Sequence, residues 1–496
     1  MNTLPAQCPS VLIVGAGFAG LAAAIELSRH GYTDVTILER AAELGGTWRE
    51  NHYPGAACDV PSPLYSYSFA PNPEWTQRFA GQAEILAYMR RTAADFAVDR
   101  LIHYDTEVTA ASFDERRARW RVDTSTGKIY EADVLVPAVG VLSLPAWPKL
   151  SGMNCFTGAA FHSAQWDHSV DLTGKRVAVI GTGASAVQFV PQVREHAAEV
   201  TVFQRTAPWI VPRPQRVYTA LHHRLFRRMP ASLRAERELV SLVTEGLQRS
   251  MTSRNQLVLK AFAATSKAYL RYRVADPALR AKLTPDYPAG CKRILFDAGY
   301  LQALTESNVE VVTDAIAEIT PGGIRTVDGA ERDVDVIIYG TGFAATEVMD
   351  SIKVHGVDGR LLSDAWSDGA RAYFGMCVPG FPNLFFMYGP NTSLGSGSII
   401  GMLEPQARYL RRAVEYLDDL GEGATVDVRA EVEQTYDAEI QSRVIDSVWT
   451  TCSSWYRNAA GRVVANWPGS IGEYARRTAR FDPSDYHVAS TVKALR

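Results

Sequence analysis

Two glycine-rich turns carry the residues with the clearest chemistry. Gly15-Ala16-Gly17-Phe18-Ala19-Gly20 follows the apolar run Ser10–Val14 and leads into Leu21–Leu27, a strong helix former. Gly181-Thr182-Gly183-Ala184-Ser185-Ala186 follows Arg176–Ile180 and leads into an apolar helix through Val187, Phe189 and Val190. Strand, small-residue turn and helix in that order let the backbone approach a pyrophosphate, which the positive helix end then holds. The strands that come next end in opposite charges. Val35–Leu38 runs into Glu39 and Arg40, and a carboxylate there accepts hydrogen bonds from both hydroxyls of an adenosine ribose. Val200–Phe203 runs into Gln204, Arg205 and Thr206, and a guanidinium there pairs with a 2′-phosphate that a carboxylate would repel. From Gly15 to Glu39 and from Gly181 to Arg205 the interval is the same, 24 positions. The first unit therefore suits FAD and the second NADPH, although Arg205 alone also reads as a solvated strand-end charge.

These turns need large domains to hold them. At 496 residues the chain exceeds one ordinary core, so two or three domains are expected. Asp133–Gly140 reads as a strand running to glycine, and Leu142–Pro148 as a proline-broken linker out of the first unit. Val334–Phe343 reads as the return linker. The expected fold class is α/β, with two Rossmann-like dinucleotide-binding domains, the second inserted into the first. Residues 1–143 form the first part of the FAD domain, 149–333 the NADP domain, and 334–496 the rest of the FAD domain. A helical insertion at about 208–282 carries Arg213, Arg216, Arg224, Arg227 and Arg228 among Leu and Ala, read as a solvated helix face. Gly380–Asn391 reads as a turn, a buried strand and a loop near the flavin, and Glu404–Leu420 as a helix.

Composition narrows the class. A net charge of −3 gives no electrostatic case for nucleic acid or an anionic membrane. No apolar run approaches the roughly 18 residues of a membrane span, and Met1–Cys8 lacks the basic start and apolar run of a secretory leader. The six cysteines are scattered without a Cys-x-x-Cys pair, against a zinc site, a redox dithiol or a disulfide framework and in keeping with a reducing cytosol.

Two longer patterns remain. Phe156, Gly158, His162, Trp166 and Asp167 fit Phe-x-Gly-x3-His-x3-Trp-Pro/Asp, and Gly46, Trp48, Tyr53, Pro54, Gly55 and Asp59 fit Gly-x-Trp-x4-Tyr-Pro-Gly-x3-Asp. On both, the sequence resembles the flavin-dependent Baeyer–Villiger monooxygenases of type I, over about residues 10 to 470. The Trp166-Asp167 ending separates it from the sister monooxygenases that oxidise nitrogen and sulfur, which carry Phe or Tyr there. Ala138-Val139-Gly140 departs slightly from the commoner Ala-Thr-Gly.

The resemblance implies a set of roles. FAD is held by Gly15, Gly17, Phe18, Ala19, Gly20, Glu39 and Arg40, with Gly46, Thr47, Trp48, Asp59, Tyr65, Val108 and Gly140. NADP is held by Ala57, Cys58, Gly181, Thr182, Gly183, Ala184, Ser185, Ala186, Arg205 and Thr206, with Lys292 and Trp455. Lys292 and Arg293 by themselves read as loop cations after the Gly290 turn, and Trp455 equally as core. In the family pattern Arg293 is the active-site arginine, oriented by Asp59, and it stabilises a C4a-peroxyflavin and the charge that develops on a substrate carbonyl oxygen. His162 otherwise reads as a core histidine; in the family pattern it lies at the domain junction and serves positioning or domain motion with Phe156, Gly158, Trp166 and Asp167. The helical insertion helps wall the substrate cavity. The implied activity is NADPH- and O2-dependent conversion of a small ketone to an ester or lactone, with sulfoxidation alongside, in a cytoplasmic monomer or weak oligomer without a metal, nucleic-acid partner or membrane span. An N- or S-oxygenating monooxygenase and a non-catalytic nucleotide-binding redox sensor are the competing readings. A thiol–disulfide reductase would need a dithiol beside the flavin.

Overall fold

The computed structural model describes residues 8–253, 255–345 and 349–490. The expectation for the amino terminus therefore falls mostly outside the described residues. Strand β1 (Val11–Val14), helix α1 (Phe18–Arg29), β2 (Val35–Leu38), β3 (Ile102–His103) and β4 (Val134–Pro137) build a parallel sheet of order β3-β2-β1-β4. All four residues of β1 and of β4 are buried. Strands covered on both faces are read as continuous apolar runs rather than alternating ones, which is how both segments are written.

The second sheet contains β5 (Ala159–His162), β6 (Arg176–Ile180), β7 (Glu199–Phe203), β8 (Val309–Val312) and β9 (Val336–Tyr339), in the parallel order β8-β7-β6-β9-β5. Helix α2 (Ala184–Val193) follows β6. The two glycine turns obey one constraint. Gly15 (φ +108°) and Gly181 (φ +109°) lie in the left-handed region, and an added Cβ would sit 2.7 Å from the Ala138 carbonyl oxygen and 2.4 Å from that of Gly340. No other residue fits either place.

The position of β9 corrects the boundary expected at residue 333. Val336-Ile337-Ile338-Tyr339 lies between β6 and β5, fully buried, so the chain leaves the second sheet only after Tyr339. The crossings then run side by side. Ala146 N donates to Gly342 O at 2.9 Å, Ala344 N to Leu144 O at 2.9 Å and Thr341 Oγ1 to Ala146 O at 2.6 Å. The buried strand expected within Gly380–Asn391 is also corrected. The segment hydrogen-bonds along β4, with Phe385 N to Leu135 O at 3.0 Å and Met387 N to Pro137 O at 2.8 Å. It does not continue as a strand, because Asn383 (φ 55°), Tyr388 (φ 65°) and Asn391 (φ 54°) turn left-handed and Pro382 and Pro390 offer no N–H.

The helical insertion comprises α3 (Ala220–Arg228), α4 (Pro230–Thr252), α5 (Leu257–Arg273) and α6 (Pro277–Lys282). Its inner face grips the FAD-binding domain. Arg237 donates to the carbonyls of Pro63 (2.9 Å) and Ser66 (2.8 Å), and the buried Gln248 donates to Trp467 O at 3.0 Å. Helix α7 (Ile400–Leu420) closes the first domain against α1, with Arg411 Nε paired to Glu26 at 3.1 Å.

The expectation that the cysteines form no disulfide is overturned for one pair. Cys291 and Cys452, 161 positions apart, are joined, while Cys8, Cys58, Cys155 and Cys377 are free. Folding brings the segment after Gly290 beneath the loop at 448–456, a proximity that sequence spacing cannot register.

Candidate active site

A cavity of about 1220 Å³ runs between the two domains and reaches both glycine turns. At one end α1 starts at Gly17 and at the other α2 starts at Gly183, and neither N-terminus has a side-chain cap. The free N–H groups face space that a Cβ at Gly183 would find empty within 4 Å, which is room for a pyrophosphate. Glu39 is held in place by the backbone. Its Oε2 accepts from Ala16 N at 2.8 Å and its Oε1 from Ala41 N at 3.0 Å and Arg49 Nη1 at 3.4 Å, and the residue lines the cavity. Arg40 reaches Glu50 (3.2 Å) and Ser143 O (3.3 Å) along the rim.

At the opposite end Arg205, Thr206 and Lys292 line the wall, and Thr182 Oγ1 donates to Thr206 O at 3.0 Å. Burial, and then the neighbouring charge of Arg205, hold the Lys292 ammonium below its usual pKa. Arg205 and Lys292 face one space, and such a pair of cations suits a 2′-phosphate.

The middle of the cavity holds the reactive candidates. Arg293 Nη2 donates to Asp59 Oδ1 at 2.8 Å, across 234 positions of sequence. Asp59 raises the guanidinium pKa further, with burial opposing, so Arg293 is a permanent cation. Its side chain keeps 43% of its surface open to the cavity, which makes it available to a bound anion. Trp48 Nε1 donates to Tyr65 OH at 3.0 Å, and Phe18 meets the Tyr65 ring edge-on at 5.5 Å. These aromatics form a dry wall. Burial pushes the Cys58 thiol and the Tyr65 phenol up, so both stay neutral.

Most residues singled out from the sequence line this one cavity, Gly46, Thr47, Ala57, Val108, Gly140, Ala184, Ser185 and Trp455 among them. Two do not. Gly20, in the first turn of α1, packs against Gly15 O, and Ala186 is buried in the second core; each serves helix-to-strand packing. The fingerprint residues also stand outside. His162 is fully buried at the end of β5, its Nδ1 accepting from Ala164 N at 3.1 Å. Its ring lies 5.6 Å from Trp147 and 6.1 Å from Phe343, one aromatic from each crossing. Trp166 packs on Phe189 of α2 at 5.3 Å, Asp167 Oδ1 accepts from Ser169 N at 2.9 Å, and Phe156 lies against Gly158.

Several contributors had no signal in the motifs. Gln188 on α2 accepts from Tyr53 OH (3.0 Å) and Ala57 N (3.2 Å) and donates to Ala57 O (2.9 Å). Tyr388 lines the cavity, and with buried Tyr456 it surrounds Arg293. Arg213, half-buried, donates to Phe79 O at 3.2 Å beside Cys58.

Relatives span the same length. A Baeyer–Villiger monooxygenase of Streptomyces coelicolor is 43% identical over 98% of this chain and 93% of its own. One of Pseudomonas aeruginosa is 43% identical over 100% of this chain and 95% of its own. The chain belongs to the Baeyer–Villiger monooxygenases. Solved structures carry the same architecture: a steroid monooxygenase bound to NADP aligns with TM-score 0.87 at 33% identity, covering 98% of this chain and 100% of that one. The cyclohexanone monooxygenase from Rhodococcus sp. Phi1 bound to NADP+ aligns with TM-score 0.88 at 26% identity, covering 97% and 99%. A profile of the pyridine nucleotide-disulphide oxidoreductases matches residues 12–237 of this Baeyer–Villiger monooxygenase, the stretch that contains both glycine turns. Cys291 and Cys452 are not among the residues that line the cavity.

Proposed function

We propose that the enzyme inserts one oxygen atom beside a ketone carbonyl, giving an ester or lactone and consuming one NADPH and one O2 with release of water. The observation that carries this reading is the Arg293–Asp59 pair, set in one cavity between the Glu39 end and the Arg205 end. Glu39 and the Gly15–Gly17 turn would hold the adenosine diphosphate of FAD, which when bound would supply the redox and oxygen-transfer chemistry, and Trp48, Tyr65 and Phe18 would exclude water around it. Arg205 and Lys292 bind the 2′-phosphate of NADP(H), with α2 at the pyrophosphate. Arg293 then acts in two ways: its fixed charge holds an oxygen anion near the flavin, and it stabilises the negative charge that builds on the substrate carbonyl oxygen, a contribution of about 3 kcal/mol in a dry site. Asp59 aims the guanidinium and damps its swing. A thioether at the same place would take the oxygen at sulfur. Incubation with NADPH, O2 and a ketone panel, read by mass spectrometry, should give products heavier by one oxygen; NADPH consumption with no oxygenated product from any ketone, while amines or thioethers are oxygenated, would replace this reading with heteroatom oxygenation.

A further inference from the structure

The helical insertion shows solvent an apolar face that no other part of the described chain covers. Sixteen large apolar side chains are exposed among the described residues, and ten of them lie between Val217 and Tyr272. Leu221 and Leu225 on α3 and Met229 just after it recur four residues apart. Helix α4 buries Leu233 and Val240 against the protein and turns Leu239, Leu242 and Val243 outward, each more than 60% exposed. Helix α5 adds Leu257 and Tyr272, the latter 81% exposed. Faces of this kind mark interaction sites.

Charge selects the partner. Residues 208–282 contain 15 Lys and Arg against 4 Asp and Glu, a net +11 in a chain whose total is −3, which leaves −14 elsewhere. The whole-chain charge conceals this segregation. Arg224, Arg228, Arg234 and Arg271 are exposed with no acidic partner among the described residues, and three of them directly precede an exposed Leu225, Met229 or Tyr272. Exposed arginines on the same helices as exposed leucines match anionic headgroups above hydrocarbon. A second copy meeting this face two-fold would set +11 against +11. Nucleic acid would answer the arginines and leave the leucines in water.

We propose that α3, α4 and α5 dock the enzyme peripherally on an anionic lipid bilayer. The contact is interfacial, since no helix among the described residues is long and apolar enough to cross a membrane. The test is flotation of the purified, FAD-loaded full chain with vesicles of phosphatidylcholine alone or mixed with phosphatidylglycerol. The enzyme should float with the anionic vesicles, stay behind with the neutral ones, and bind less at high salt. Leu239→Glu/Leu242→Glu should abolish flotation, and Arg224→Gln/Arg228→Gln should weaken it on the order of fivefold per arginine. Both variants should keep wild-type flavin absorbance and NADPH oxidation in solution, because none of these side chains supports the cavity. Failure to float with anionic vesicles overturns the proposal, as does flotation that Leu239→Glu/Leu242→Glu leaves intact. A dimer by light scattering that this double variant dissolves would assign the face to a second copy.

Discussion

Gln188 holds Ala57 by both ends of its amide, Nε2 donating to the carbonyl at 2.9 Å and Oε1 accepting from the N–H at 3.2 Å. The side chain belongs to α2 in the second domain, and Ala57 lies two residues before Asp59 in the first. Gly55 makes the approach possible: at φ +81° its missing Cβ would lie 2.7 Å from Gln188 O. The loop that carries Asp59, the partner of Arg293, is thus docked on the second domain.

Gln188→Ala should loosen that loop without emptying either nucleotide site. The expected result is a stability loss of about 1–3 kcal/mol for the unpaired groups, and a several-fold fall in ester formed per NADPH consumed, with flavin reduction little changed. The ratio of product to NADPH, measured beside Tm, checks it. Gln188→Glu, which loses the donor, should resemble Ala in coupling.

Arg205→Gln should discriminate between nucleotides. Losing a charge-assisted pair with the 2′-phosphate costs about 1.5–3 kcal/mol, a rise in KM for NADPH of roughly ten- to a hundredfold, with KM for NADH almost unchanged. Steady-state kinetics with both nucleotides decides it.

The disulfide is countable. Denatured under non-reducing conditions, each chain should show four thiols, from Cys8, Cys58, Cys155 and Cys377, and six after reduction. The bridge links the Lys292–Arg293 segment to the loop bearing Trp455, so reduction should lower Tm and expose residues 450–458 to limited proteolysis. Six thiols without reductant would contradict the pairing.

Asp427 gives a pH prediction. Burial raises its carboxyl from the ordinary 3.8 to about 6, against hydrogen bonds from Gly380 N at 3.0 and 3.1 Å. A raised acid pKa means that the folded state holds a proton that the unfolded state releases, so stability is lost as pH rises from about 4 to 6. Asp427→Asn keeps an acceptor for Gly380 and removes the titration. It should raise stability by about 1–2 kcal/mol at pH 7.5 and by nothing at pH 4, read as Tm against pH.

What the sequence disclosed was local. Gly15, Gly181, Glu39 and Arg205 announce themselves because a strand, a turn without Cβ and a charge at fixed distance form one continuous signal. The family pattern supplied Arg293 and Asp59, whose 234-residue separation no spacing rule covers. Gln188 and Tyr388 were silent, since each works through a contact with another segment. The expected boundary at 333 fell before β9 and assigned that strand to the first domain, because an apolar strand looks the same in either domain. The insertion's arginines were visible in the sequence, but the whole-chain charge of −3 averaged their excess with the acidic remainder.

The central claim is that Arg293, aimed by Asp59, serves oxygen transfer and not hydride transfer. The direct test is Arg293→Ala in stopped flow: anaerobic flavin reduction by NADPH, followed by mixing with oxygenated buffer and ketone and quantification of the product. Reduction should stay within a few-fold of wild type, while ester formation falls at least a hundredfold and the reducing equivalents appear as hydrogen peroxide. Ester formation at wild-type yield by Arg293→Ala would contradict the account.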